Sequence, residues 1–199
     1  MRNIKYTFFF LLSLVTCFTA FSQNSKSTMK NKALLIIDIQ MFYFPGGSVP
    51  LVEPEKAAQN AAQVLNYARN NNILVIHIKH NANSGSEIHQ LVSPIDGEKV
   101  ISKSEANAFS GTDLLDYLKE KNIEELIITG MQTHMCVEAA TRAAYDLGFT
   151  CTVIEDACAT RDLKFKDKIV KAEDVHYSTL SALNRTYAAI MTTKEFLKD

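Results

Sequence analysis

The chain has 199 residues, 47% hydrophobic and 22% charged, a make-up that fits one globular domain with a full core. Its formal net charge of -1 provides no broad basic field, which argues against nucleic acid as a partner. In chain order, MRNIKY forms a basic n-region, TFFFLLSLVTCFTAF an apolar h-region, and Ala20-Phe21-Ser22 a small-residue cleavage point. Residues 1–22 therefore read as a signal peptide, and the expected destination is a bacterial periplasm or the extracellular space. The apolar run is shorter than the ~20 residues that span a bilayer, so no stable membrane span is expected in the mature form. Lipidation at Cys17 is a weaker alternative, because Leu14-Val15-Thr16-Cys17 resembles a lipobox but has Thr16 where a smaller residue is wanted.

Residues 23–31, rich in serine, lysine and asparagine, read as a flexible leader, and the domain runs over 32–199. ALLIID (33–38) is continuously apolar and ends in an acid, as a strand buried on both faces does. A helix follows from Pro54, with Ala58, Ala61, Ala62 and Leu65 at helical spacing. ILVIHIK (73–79) and VIS (100–102) are the next strands, and a helix is expected from Thr112 through Leu118, with Asp113 helping to start it. ELIITG (125–130) is a buried strand, followed by an alanine-rich helix that Gly148 ends. CTVIED (151–156), a helix near 173–184 and YAAIMT (187–192) complete the alternation. This order predicts an α/β three-layer αβα sandwich around a mostly parallel, Rossmann-like sheet.

Ligands of such sheets gather outside the carboxyl ends of the strands, where strand order reverses. That rule brings Asp38, Lys103 and the segment Gly130–Cys136 to one rim. No glycine-rich phosphate loop stands at these strand ends, so no nucleotide cofactor is expected. A cysteine at a helix start beside a cation is a candidate nucleophile, and a carboxylate could take its proton and later return it. Cys136, Cys151 and Cys158 make an odd set for an exported chain. Burial is the first reading of the latter two, with a bridge between them open.

ALLIIDIQ with Gly46 and Gly47, SKSEANAFSGTDL around Lys103, and GMQTHMCVEAATRAAYDLGFTCTVIEDACATRD together resemble the isochorismatase-like cysteine hydrolase superfamily, whose members include nicotinamidases, N-carbamoylsarcosine amidase and streptothricin hydrolase. The resemblance covers residue 32 to the end. It implies Cys136 as nucleophile, Asp38 as general base and acid, and Lys103 as the residue that orders the pair and favours the thiolate. It also implies a cis peptide between Met131 and Gln132 and an oxyanion pocket formed by the backbone NH groups of Gln132 and Cys136.

Tyr43, Phe44, His80, Phe109, Met131 and His176 are the candidate substrate contacts, and Thr133 is expected to hold the turn by a side-chain to backbone bond. Nicotinamidases carry an Asp-x-His metal motif after the glycine pair, but GGSVPLVEPEKA has neither aspartate nor histidine, so a metal is not expected. The expected activity is metal-independent hydrolysis of an amide-type C–N bond of a small molecule through a thioester. The alternative is a small-molecule-binding or redox-responsive thiol protein on the same fold. A homo-oligomer is expected, because the 81–98 loop is polar and Phe109 needs cover.

Overall fold

The computed structural model describes residues 31–198. The expected signal peptide and nearly all of the expected leader lie outside the described residues.

Six strands form one sheet: β1 (Lys32–Ile37), β2 (Leu74–His80), β3 (Lys99–Lys103), β4 (Glu125–Met131), β5 (Thr150–Ala159) and β8 (Ala189–Met191). All its pairings are parallel and the order is β3-β2-β1-β4-β5-β8. The order therefore reverses between β1 and β4, and the crevice outside their carboxyl ends is the natural ligand position.

The period-2 alternation of the strands divides the core into two. Ala33, Leu35 and Ile37 of β1 pack in one cluster with Leu114 and Leu118 of α2 (Leu114–Glu120) and with Ala140 and Ala144 of α3 (Glu138–Asp146). Leu34 and Ile36 face the other way, onto Ala58, Ala61 and Leu65 of α1 (Pro54–Asn70). Burying both faces is why β1 reads as an unbroken apolar run. Alanines at the contact face of α1 let its backbone approach the sheet closely, and Pro54 opens it with φ already helical.

Several boundaries differ from those expected. Lys103 is the last residue of β3 rather than a residue beyond it, and β5 continues to Ala159. Between β5 and α4 (Ala172–Leu183) lies a short antiparallel hairpin of β6 (Leu163–Phe165) and β7 (Lys168–Val170), too short and too exposed for a burial period to show. A last turn, α5 (Thr193–Phe196), is closed by a capping box between Thr192 and Glu195. Asp113 precedes α2 without capping it, because its carboxylate is taken by Lys99 Nζ at 2.7 Å. Cys136, Cys151 and Cys158 are all buried free thiols, so the possible bridge is absent. Among the described residues no helix is long and apolar enough to cross a membrane.

Candidate active site

Each reactive side chain is placed by a strand end. Asp38 leaves β1 with a left-handed φ of 52°, a conformation that aspartate tolerates better than most residues, and its N–H is held by Ile78 O at 2.9 Å. Gly130, paired with Ile37 in the register, has a φ of 138°, and a Cβ there would run into Ile37 O. The site thus requires a glycine beside its acid. Lys103 comes from the end of β3, opposite His80 at the end of β2.

The peptide between Met131 and Gln132 is cis, as the resemblance implied. Residues Thr133–Val137 then form a π-helical turn that runs directly into α3, with the N–H groups of Met135 and Val137 both donating to Gln132 O. π-helical turns of this kind are frequent at functional sites. Cys136 sits on this turn, two residues before α3 begins.

Three side chains meet. Lys103 Nζ lies 2.7 Å from Asp38 Oδ2 and 3.3 Å from Cys136 Sγ. It also donates to Glu105 O at 3.0 Å and approaches His80 Nδ1 at 3.3 Å. An ammonium has three N–H donors, so these four acceptors saturate it. The side chains of Asp38 and Lys103 are 0% exposed. The contact between them is close but off the hydrogen-bond axis. Neither Asp38 oxygen has an aligned donor among the described residues, which leaves the carboxylate free to accept a proton.

Burial sets the protonation behaviour. It pushes Asp38 above the usual carboxylate range against the pull of Lys103. It also pushes the Cys136 thiol up to about 12; the Asp38 charge adds to this and Lys103 opposes it. Burial and the neighbouring carboxylate thus favour the thiol form, while Lys103 pulls toward the thiolate, as expected of it.

The remaining candidates separate. Tyr43 OH accepts from Gln132 Nε2 at 3.4 Å, which puts it beside the nucleophile turn. His176 Nδ1 meets Thr133 Oγ1 at 2.9 Å, so Thr133 holds the turn through α4 rather than through the backbone as expected. His134 Nδ1 meets Thr160 Oγ1 at 2.6 Å and ties the same turn to the end of β5. His80 contacts Lys103 and supports the ammonium.

Three candidates do not face the site. Met131 is fully buried in the α1-side core, and Phe44 is buried and stacks on His89 with centroids 4.0 Å apart. Phe109 stacks at 6.2 Å on Phe149, which immediately precedes β5 at the opposite, amino end of the sheet. Its aromatic surface thus finds cover within the chain.

Sequence reasoning missed Gln40. Its side chain receives His80 N at 2.8 Å and donates to His80 O at 3.0 Å and Ser86 O at 2.7 Å, fixing the end of β2 next to Lys103. The one available signal was a fully buried amide two residues after the acid in ALLIIDIQ. A cavity of about 460 Å³ flanks the rim beyond Thr160 and His176, bounded also by Glu53 and Glu155, but the three reactive side chains do not line it. Among the described residues no cluster of three or more His, Cys, Asp or Glu could hold a metal ion.

Comparison with known proteins agrees with this geometry. The Isochorismatase domain family matches residues 32–195. An isochorismatase family protein of Bacillus subtilis, YddQ, is 47% identical over 177 residues, 83% of this chain and 98% of its own. A streptothricin hydrolase of Streptomyces noursei is 30% identical over 66% of this chain and 56% of its own. A maleamate amidohydrolase of Pseudomonas putida is 25% identical over 85% and 86%. Among solved structures, an isochorismatase hydrolase from Oleispira antarctica superposes with a TM-score of 0.82 at 38% identity, covering 87% of this chain and 99% of that one.

Proposed function

Since the chain belongs to the isochorismatase family of hydrolases, we propose that it cleaves an amide-type C–N bond of a small molecule through a thioester on Cys136, with no step that uses a metal. The observation that carries this reading is the single ammonium, Lys103, standing between the Asp38 carboxylate and the Cys136 sulfur. Two relatives whose names specify hydrolysis, one of them an amidohydrolase, agree with C–N chemistry.

The chemistry follows from the protonation states. Asp38 takes the Cys136 proton as Sγ attacks the carbonyl carbon, so the thiolate exists only as the new bond forms. The carbonyl electron pair moves to oxygen, where the backbone N–H groups of Gln132 and Cys136 are the proposed donors.

Collapse of the tetrahedral adduct breaks the C–N bond, and Asp38 returns its proton to the departing nitrogen. Water, deprotonated by Asp38, then attacks the thioester carbonyl; the C–S bond breaks, the acid leaves, and Asp38 passes the proton to the sulfur to restore the thiol. An acid whose pKa is raised by burial is suited to taking and giving a proton near neutral pH. The high pKa of Cys136 argues against a peroxide-sensing thiol, whose reactivity depends on a resting thiolate.

A screen of amides, ureides and carbamoyl compounds, with and without chelator, tests the reading. Turnover by wild type, none by Cys136→Ala, and an acyl adduct on the Cys136 peptide by mass spectrometry are expected. Turnover retained by Cys136→Ala would overturn the nucleophile assignment.

A further inference from the structure

We infer that the hairpin of β6 and β7 is a membrane-docking finger. Phe165 and Ile169 enter the boundary between headgroups and acyl chains of an anionic bilayer, and Lys164, Lys166 and Lys168 pair with lipid phosphates. The surface is separate from the reactive side chains and does not depend on the hydrolase reading.

The hairpin is fastened at its base and bare at its end. Asp162, just before β6, accepts from Ala172 N and from Lys171 Nζ, each at 2.8 Å, which clasps the two stems together. Arg161 Nε donates to Gln132 Oε1 at 3.2 Å and ties the same base to the nucleophile turn. Beyond Leu163, every residue from 164 to 171 is exposed. Phe165 is 69% and Ile169 62% exposed, more than any other large apolar side chain among the described residues. No side chain of the hairpin joins either core cluster. A two-stranded hairpin standing alone is at best marginally stable in water, and apolar side chains gathered on a surface mark a place of contact.

Charge selects the partner. The chain carries -1 overall, yet residues 161–171 hold the cations Arg161, Lys164, Lys166, Lys168 and Lys171 against the acids Asp162 and Asp167 alone. Lys171 is spent on Asp162, whereas Lys164, Lys166 and Lys168 make no ion pair among the described residues. The Lys166 ammonium stands 5.5 Å from the centroid of the Phe165 ring. Lysines around protruding apolar side chains suit the interface of an anionic leaflet, where each lysine raises affinity about fivefold.

Geometry favours a bilayer over a second copy of the chain. The register pairs Lys164 with Ile169 and Phe165 with Lys168; cross-strand partners share a face, and successive pairs point to opposite faces. Each face therefore presents one apolar and one cationic side chain near the tip. A protein surface would cover one face and leave the other in water, but a bilayer surrounds both. Two hairpins meeting on a two-fold axis would also bring their unpaired lysines together. The base stands at the carboxyl rim of the sheet, so docking carries the mouth of the site to the membrane surface.

The chain contains no tryptophan, so Phe165→Trp in the full chain reports on the tip alone. Its emission is followed with vesicles of phosphatidylcholine and with equal mixtures of phosphatidylcholine and phosphatidylglycerol, plain or brominated on the acyl chains near the headgroup. Tyr145→Trp, at the exposed end of α3, is the control for binding through any other segment. Circular dichroism verifies that each variant is folded. A blue shift and bromine quenching are expected for Phe165→Trp with the anionic vesicles only, weakened by salt, with no change for Tyr145→Trp. Adding Lys164→Gln, Lys166→Gln and Lys168→Gln should lower the partition coefficient about 100-fold.

Emission unchanged by anionic vesicles, or equal quenching at both positions, would overturn the inference, as would lysine variants that partition like their parent. A blue shift that grows with protein concentration without lipid, together with dimers in sedimentation, would give the hairpin to a second copy of the chain and overturn it as well.

Discussion

Replacing Lys103 by methionine isolates the electrostatic core of the site. The substitution keeps most of the buried volume but removes the ammonium 2.7 Å from Asp38, a side chain that is 0% exposed and has no aligned donor. A charge stranded in this way is not tolerated, so the variant should fold with Asp38 protonated. The unfolded chain ionises in the ordinary carboxylate range, and burial without the ammonium holds Asp38 of the folded variant well above it. The native state then binds one proton more than the unfolded state throughout that window, and stability must fall as pH rises. The slope is about 1.4 kcal/mol per pH unit between the two ionisation ranges, and the loss is almost nothing near pH 4.

Urea denaturation followed by circular dichroism at half-unit steps from pH 4 to 8 measures this directly. Wild type is the reference, and the Asp38→Asn/Lys103→Met double variant is expected to lose the pH dependence. A deficit in Lys103→Met that is constant across the range would mean that lost packing, not the stranded carboxylate, governs the site. That result would refute the reasoning.

Asp38→Asn alone should abolish turnover yet speed iodoacetamide labelling of Cys136 at neutral pH, because it removes a negative charge that raises the thiol; slower labelling by peptide mass spectrometry would contradict this. Glu98 is held at about 2: against the upward push of burial, it is gripped by Arg69 at 2.8 and 2.9 Å, by His77 at 2.9 Å and by Ile95 N at 3.0 Å. Its contribution is present above the ordinary glutamate pKa and lost as pH falls toward 2, so Glu98→Gln should cost about 2 kcal/mol at pH 7 and less than half of that at pH 3 by denaturant titration. Gly130→Ala should cost several kcal/mol or prevent folding, because the new Cβ meets Ile37 O; near-wild-type thermal stability would be inconsistent with the placement of β4. Thr133→Val, which breaks the tie to His176, should lower kcat more than it raises KM in the amide assay.

Strands buried on both faces leave unbroken apolar runs, and a helix packed closely on a sheet leaves alanines at period 3.6. ALLIID, ILVIHIK, ELIITG and the Pro54 helix were therefore readable, and with them the layer architecture. The alternation of strand and helix also put Asp38, Lys103 and Cys136 at the same ends of parallel strands, which fixes the rim but not the contact. The β6–β7 hairpin left no such trace, because three-residue strands with mostly exposed side chains carry no burial period. Aromatic residues near the motifs were ambiguous for the same reason: Phe109 and Phe44 have the chemistry of a pocket wall, and only the packing around them decides otherwise.

The sequence by itself determined the layers, the parallel order of the strands along one edge, and an acid, an amine and a thiol as the candidate set at that edge. These depend on residue type and spacing, which are local. Tertiary structure alone decided that one ammonium sits between the other two, that burial weighs against the thiolate, and that Gln40 and Gln132 brace the surrounding strand ends. Those properties depend on distances across strands far apart in the chain and on the exclusion of water, neither of which a local pattern encodes.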